Sequence, residues 1–546
     1  MPMARWFVDR LPQRGIPSVS LRRLLPEAQF VGCADWDVSG CTDDHRRLDP
    51  GQVFVAVRDA RPGYDGHAFV REALERGAAG VVVERPCPEA GRLQVIVPDA
   101  LSAHARLCQA LAGDPSRHLV TLGVTGGSGR TIAALMMHSI LEAAGERFGM
   151  IGSLGFRDGR TERAAGEGLP PASFSRRRAS DDSSSAHAPL GANSREFAPD
   201  AGSLARLMSE MVERGCKGGV LEIPAVTINR GGVEGVTFRG VLVSDAIVPR
   251  GLPRDAMLEM RRAMARMVRQ VVPCGIVVVN ADDPDAEILG GVNLDSKRIA
   301  YSLLSGRPDS ASADIRGRVD QIDSRGTRLV ILGMDRLASV HLPLLGHHAA
   351  SAALGAAAMA WALGINRQSI VEGLERIETI AGQTEAVNAG QDFEVRIDSA
   401  RTAGALDDAL SAVRALSTGR VICVMSAEAG TEQDECRRLS EVAERGADRV
   451  VLTVSNPRTE DPSRLVEQTL AGFRRPGKVR IEIDRQLAIE TALGDARPGD
   501  VVLITGKGRE RYQILADRVI PFNDAGIALQ WLSEHTNSRH SVQRSA

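Results

Sequence analysis

A chain of 546 residues holds roughly three or four folding units at about 150 residues each, which excludes a single small module. Hydrophobic residues at 43% and charged residues at 25% exclude the disordered and membrane classes. A formal charge of -2 creates no global field toward nucleic acid or anionic lipid, and 3% aromatics argue against base-stacking platforms.

The first fifteen residues mix Arg, Asp, Pro and Gln without the apolar core of a signal peptide, so a cytoplasmic location is expected. A compact α/β unit follows: a strand over 53–57, a loop over 61–67, a helix over 68–76 and a strand over 80–83, closing near residue 115. The next unit opens with a strand over 118–124. It runs directly into Thr125, Gly126, Gly127, Ser128, Gly129, Arg130 and Thr131 and then a helix to 144, the order of a phosphate-binding loop. Periodicity disappears over 157–199, and the low-complexity stretch 175–194 reads as a mobile surface insertion. Strands return over 219–223, 240–243 and 275–279, with a helix over 255–271. The uncharged run 342–366 is mostly Ala and contains His347 and His348, so it reads as a buried helix, with no membrane span.

From residue 421 onward, strands over 421–425, 449–454, 479–483 and 500–505 alternate with helices over 435–445, 462–473 and 485–496. That alternation predicts a parallel sheet covered on both faces. Two polar, charged loops, 455–462 and 506–513, follow strands at its carboxyl edge, where sites on such sheets form. The eight cysteines, Cys33, Cys41, Cys87, Cys108, Cys216, Cys274, Cys423 and Cys436, contain no C-x-x-C pair and read as buried thiols.

Taken in order, these segments resemble the Mur ligase family, in its branch of UDP-N-acetylmuramoyl-tripeptide synthetases. The resemblance rests on Asp65-Gly66-His67 with Phe69, the loop from Thr125 to Thr131, Glu222 at a strand end and Asn280-Ala281-Asp282-Asp283. It continues through Asp398, the N-P-R-T-E-D-P run from Asn456 and the G-K-G-x-E-x-Y-Q run from Gly506. It implies an α/β fold of three domains. These are a UDP-substrate domain over 1–116, a central P-loop-type ATPase domain over 117–380 and a Rossmann-like C-terminal domain over 381–546. It further implies ATP and Mg²⁺ as cofactors, and a UDP-sugar peptide and an amino acid as partners, with no nucleic acid. A hinged monomer is the implied form. By resemblance, Arg130 and Glu222 occupy catalytic positions, Thr131 and Glu222 metal positions, and the loop 125–131 with Asp398 the nucleotide site. Asn456, Arg458, Gly506 and Glu510 match positions that grip the incoming amino acid.

The chain departs from the family pattern where the chemistry is most demanding. The loop lysine is Arg130, whose planar fork does not reproduce a compact ammonium. Read without gaps from the family's T-N-x-x-x-D-H-L-D segment, Ser244-Asp245 replaces T-N and the metal-binding histidine falls on Arg250. The lysine that this branch carbamylates falls on Met264, and no lysine occurs between Lys217 and Lys297. Guanidinium stays protonated and cannot substitute for it. A phosphate-directed Arg becomes Gln383, a His becomes Arg401, and two Asn become Ala349 and Ala352. These losses predict a Mur-ligase-fold protein whose amide ligation is lost or strongly reduced and which acts by binding. The alternative is an active ATP-dependent tripeptide synthetase of peptidoglycan precursor synthesis with an atypical ATP and metal site.

Overall fold

The computed structural model describes residues 18–58, 64–127, 129–159, 161–163, 199–244, 254–283, 295–303, 313–334, 336–377, 380 and 382–543. Ser128, the 175–194 stretch and the positions of Asp245 and Arg250 lie outside them. Three large sheets organise these residues. The first has five strands in the order Gln29–Val31, Gln94–Ile96, Gly80–Val83, Val53–Val55 and Cys41–Thr42. The helix Ala100–Leu111 covers one face, burying Ala103 and Leu107 against Val53, Val55 and Val82. The expected helix over 68–76 is a 3-10 turn, Gly66–Phe69, followed by a short α-helix, Val70–Glu75. Asp65 forces that turn by capping it: its carboxylate accepts the backbone N–H of His67 at 3.0 Å.

The central sheet has eleven strands. Its parallel middle runs Phe148–Gly152, Gly218–Glu222, Val120–Thr125, Phe238–Val243, Val271–Asn280, Lys297–Leu303 and Ile315–Asp323. Each edge turns antiparallel: Gly155–Arg157 and Glu162–Arg163 on one side, Gly326–Met334 and Arg336–Leu342 on the other. Arg157, Glu162 and Arg163, at the start of the stretch expected to be irregular, are therefore paired at the sheet edge. The buried strands read as continuous apolar runs because helices cover both faces. Arg130–Ala143 and His347–Ala362 pack on one face; Ala201–Glu213 and Arg254–Arg269 pack on the other. The uncharged run is this buried His347–Ala362 helix, and no helix among the described residues is long and apolar enough to cross a membrane. Its small residues allow close approach, since a Cβ on Gly355 would lie 3.1 Å from Leu242 and Tyr301.

The third sheet orders Glu385–Ala386, Glu394–Asp398, Val501–Thr505, Val421–Ala427, Arg449–Val454 and Val479–Ile481. It is parallel except for its first, short strand, as the strand and helix alternation requires. Helices Ala403–Arg414, Gln433–Gly446 and Pro462–Leu470 cover one face, and Arg485–Asp495 with Asp524–Gln543 the other.

Candidate functional site

The phosphate-type loop lies at the carboxyl end of Val120–Thr125, and the parallel register places Glu222 directly opposite Val124 on the neighbouring strand. Gly126 adopts φ 125°, a conformation open to glycine and strained for other residues. No side chain caps the helix Arg130–Ala143, so its first amides face the loop in the manner of an anion site.

Arg130 does not extend from that loop. Its Nη1 donates back to the Gly126 carbonyl at 2.9 Å and its Nε donates to Glu222 Oε1 at 3.2 Å, with both side chains buried. The same Oε1 accepts from Thr131 Oγ1 at 2.6 Å and Ser153 Oγ at 3.1 Å. Oε2 accepts from Ser153 N at 2.7 Å and Ser153 Oγ at 2.8 Å. A carboxylate offers about four lone-pair sites, so these five contacts saturate it. Burial alone would push the Glu222 carboxyl up. The Arg130 charge and the bonds from Thr131 and Ser153 outweigh burial and hold it below the ordinary range. Ser153 and Arg130 thereby fix the carboxylate from opposite sides. Ser153 was not among the residues expected from sequence.

A second cluster gathers the C-terminal loops. Asn456 Nδ2 donates to Glu510 Oε2 at 3.1 Å, and Asn456 Oδ1 accepts from Ile514 N at 3.0 Å and from Lys507 Nζ at 3.2 Å. Lys507 also donates to Glu510 at 3.2 Å and to the Tyr512 carbonyl at 2.6 Å. Arg401, anticipated only as a missing histidine, donates to Glu510 Oε1 at 2.6 Å and to the Gly506 carbonyl, and lies 3.5 Å from Glu428. Asn456, Gly506 and Glu510 are thus brought together, around two internal cations. Arg458 joins the same edge at φ 54°, a strained setting for a side-chain-bearing residue, with its N–H on the Ile514 carbonyl at 3.2 Å. A cleft lined by Arg401, Ser426, Glu428, Thr431, Thr505 and Gly506 opens beside this cluster. The two clusters meet where Arg509 donates to the carbonyl of Ser153.

Asp398 ends its strand with both carboxylate oxygens on backbone amides, Thr384 N and Ala400 N, each at 2.8 Å. It positions the 382–384 turn. Burial pushes its carboxyl up to about 6 despite those two bonds. A folded-state value above the unfolded one means that the favourable contribution is complete below about pH 4 and is lost as pH rises through about 6. The stability of the parent relative to Asp398→Asn is therefore expected to fall by roughly 2–3 kcal/mol from pH 4 to 7, read by chemical denaturation. A difference that stays flat with pH would contradict this.

Comparison with known proteins bears on what this geometry belongs to. Residues 124–360 match the Mur ligase middle domain, and residues 376–508 match the Mur ligase glutamate ligase domain. A UDP-N-acetylmuramyl-tripeptide synthetase of Roseiflexus sp. (strain RS-1) is 32% identical over 91% of this chain and 95% of that protein. The chain belongs to the Mur ligase family. A UDP-N-acetylmuramoyl-L-alanyl-D-glutamate--2,6-diaminopimelate ligase of Aquifex aeolicus (strain VF5) is 30% identical over 91% of this Mur ligase and 94% of the relative. A solved structure of a ligase of that name shares the fold, with a TM-score of 0.63 at 21% identity, covering 95% of this chain and all of the other.

Membership makes the fit of ATP and Mg²⁺ a question about this Mur ligase's own residues. The loop and the uncapped helix terminus suit a phosphate. The cation side does not fit, because a divalent ion on Glu222 would have to displace the Arg130, Thr131 and Ser153 contacts beside a fixed guanidinium charge. Among the described residues, Glu222 belongs to no group of three or more His, Cys, Asp or Glu gathered closely enough to hold a metal. Met264, at the carbamylated-lysine position, is 1% exposed and packs in the apolar core with Met267 and Val268. Ala352 and Ser244 face the loop: a Cβ on Gly129 would lie 3.8 Å from the Ala352 methyl and 4.0 Å from Ser244.

Proposed function

We propose that this Mur ligase has lost, or retains only in strongly reduced form, ATP-dependent amide ligation, and that it acts by binding a cell-wall precursor or an amino acid. One observation carries this reading: Glu222, the acid expected to anchor the metal, is already neutralised by Arg130 from within its own fold. Phosphoryl transfer depends on cationic stabilisation of charge developing on the transferred group. Removing one such contact typically costs about 10²–10³ in rate, and here several differ at once. Arg458 suits a ligand carboxylate by charge-assisted hydrogen bonding, whereas a ligand ammonium at Glu510 would have to displace Arg401 or Lys507.

The test incubates the full chain with ATP, Mg²⁺, UDP-muramoyl dipeptide and single amino acids while phosphate is followed. No phosphate release coupled to any amino acid is expected. Steady release that depends on one amino acid overturns the reading. That outcome would support a second reading, a working tripeptide synthetase in which Arg130 leaves Glu222 on nucleotide binding. The likeness to the Roseiflexus synthetase over 95% of its length favours this alternative.

A further inference from the structure

Away from the phosphate loop, three metal-ligating side chains converge where the edge strand of the first sheet meets the helix that covers that sheet. Cys41 lies on the edge strand Cys41–Thr42, while His104 and Cys108 stand one turn apart on the helix Ala100–Leu111. Cys41 Sγ is 3.8 Å from Cys108 Sγ, and Cys108 Sγ is 3.5 Å from His104 Nε2. All three ligand atoms fall within 4.8 Å of one another. A tetrahedral zinc with bonds of about 2.3 Å to sulfur and about 2.0–2.1 Å to nitrogen sets its ligands about 3.8 Å apart for two sulfurs and about 3.5–3.6 Å for sulfur and nitrogen. The two recorded separations match those edges.

We propose that Cys41, His104 and Cys108 form a zinc-binding site that ties the edge strand of the first sheet to the helix covering that sheet. Two thiolates neutralise the dication, and the imidazole supplies its Nε2 lone pair. Loading releases to solvent every proton the two thiols and the imidazole carry on their metal-binding atoms, and no electron changes hands. Among the described residues these three supply the protein ligands, so a water takes the fourth corner of the tetrahedron. The first turn of Ala201–Glu213 lies against the site, since a Cβ on Gly202 would be 3.7 Å from Cys108 Sγ. Ala201 and Ala205 pack apolar surface against Cys108. A structural zinc here would therefore fix Ala100–Leu111 to the short edge strand Cys41–Thr42, at the point where Ala201–Glu213 packs against them.

The test strips the full-length protein with a chelator under reducing conditions and titrates it with Co²⁺ alone, then with Zn²⁺. One equivalent of a tetrahedral thiolate-to-cobalt charge-transfer band is expected, displaced by zinc, together with a rise in melting temperature. Cys108→Ser and Cys41→Ser should each lose the band, the second covering the case in which the first does not fold. Cys33→Ser and Cys274→Ser, at exposed thiols, should keep it. Absence of the band in the parent, its persistence in both site variants, or recovery of a metal-free Cys41–Cys108 disulfide overturns the assignment.

Discussion

Replacing Arg130 by methionine is expected to destabilise the protein by roughly 3 kcal/mol at neutral pH, because it strands the Glu222 carboxylate in a site with about 1% exposure. For a unit of this size the melting temperature would fall by about 6 °C or more. The pH dependence identifies the cause. Without the guanidinium, burial dominates and raises the Glu222 carboxyl, so the variant's folded state gains protons that its unfolded state does not hold. Its stability then falls as pH rises, and the penalty should be smaller near pH 5 than near pH 8. Adding Glu222→Gln to Arg130→Met should recover much of the loss, a coupling of about 1–3 kcal/mol. A single-variant cost below about 1 kcal/mol would mean that the pair is incidental.

Restoring lysine at position 264 is expected to be costly in the opposite sense. Met264 is 1% exposed and lies in the apolar cluster with Ala263, Met267, Val268 and Phe238. A fully buried ammonium shifts by about 3–5 pH units, which corresponds to about 4 kcal/mol or more at neutral pH. Because the folded-state value is depressed, the unfolded chain holds more protons between the two values. Stability should therefore recover as pH rises toward about 10, and the deficit should be largest in acid. Urea unfolding of Met264→Lys against the parent at several pH values measures this. A small, pH-independent change would show that the side chain reaches solvent, and that the helix can still present an amine outside the core.

The nucleotide-loop edge was legible because its signal is local: a strand, glycines and a helix in immediate succession, with Glu222 brought alongside by parallel pairing. The residues that complete it were not, since Ser153 and Arg509 meet across 356 positions of sequence. Arg401 was readable only as the loss of a histidine. That it is also the gain of a cation depends on Glu510, which folding alone places 2.6 Å away. The antiparallel edge Gly326–Met334 was not read from sequence: Leu329-Val330-Ile331-Leu332 is a continuous apolar run, and only the fold shows that Thr327, Leu329 and Ile331 face inward. The reading of all cysteines as buried thiols needed correcting, because Cys33 and Cys274 are exposed. His104 and Cys108 stand four apart on the helix Ala100–Leu111, a pairing the sequence reading did not draw. Cys41 joins them only through strand placement.

The Arg509 contact with Ser153 has an energetic meaning. It bridges the C-terminal loop to the strand-end segment that holds Glu222. Whatever parts these two loops must break that bond, so part of its affinity is spent on undoing a contact the fold makes by itself.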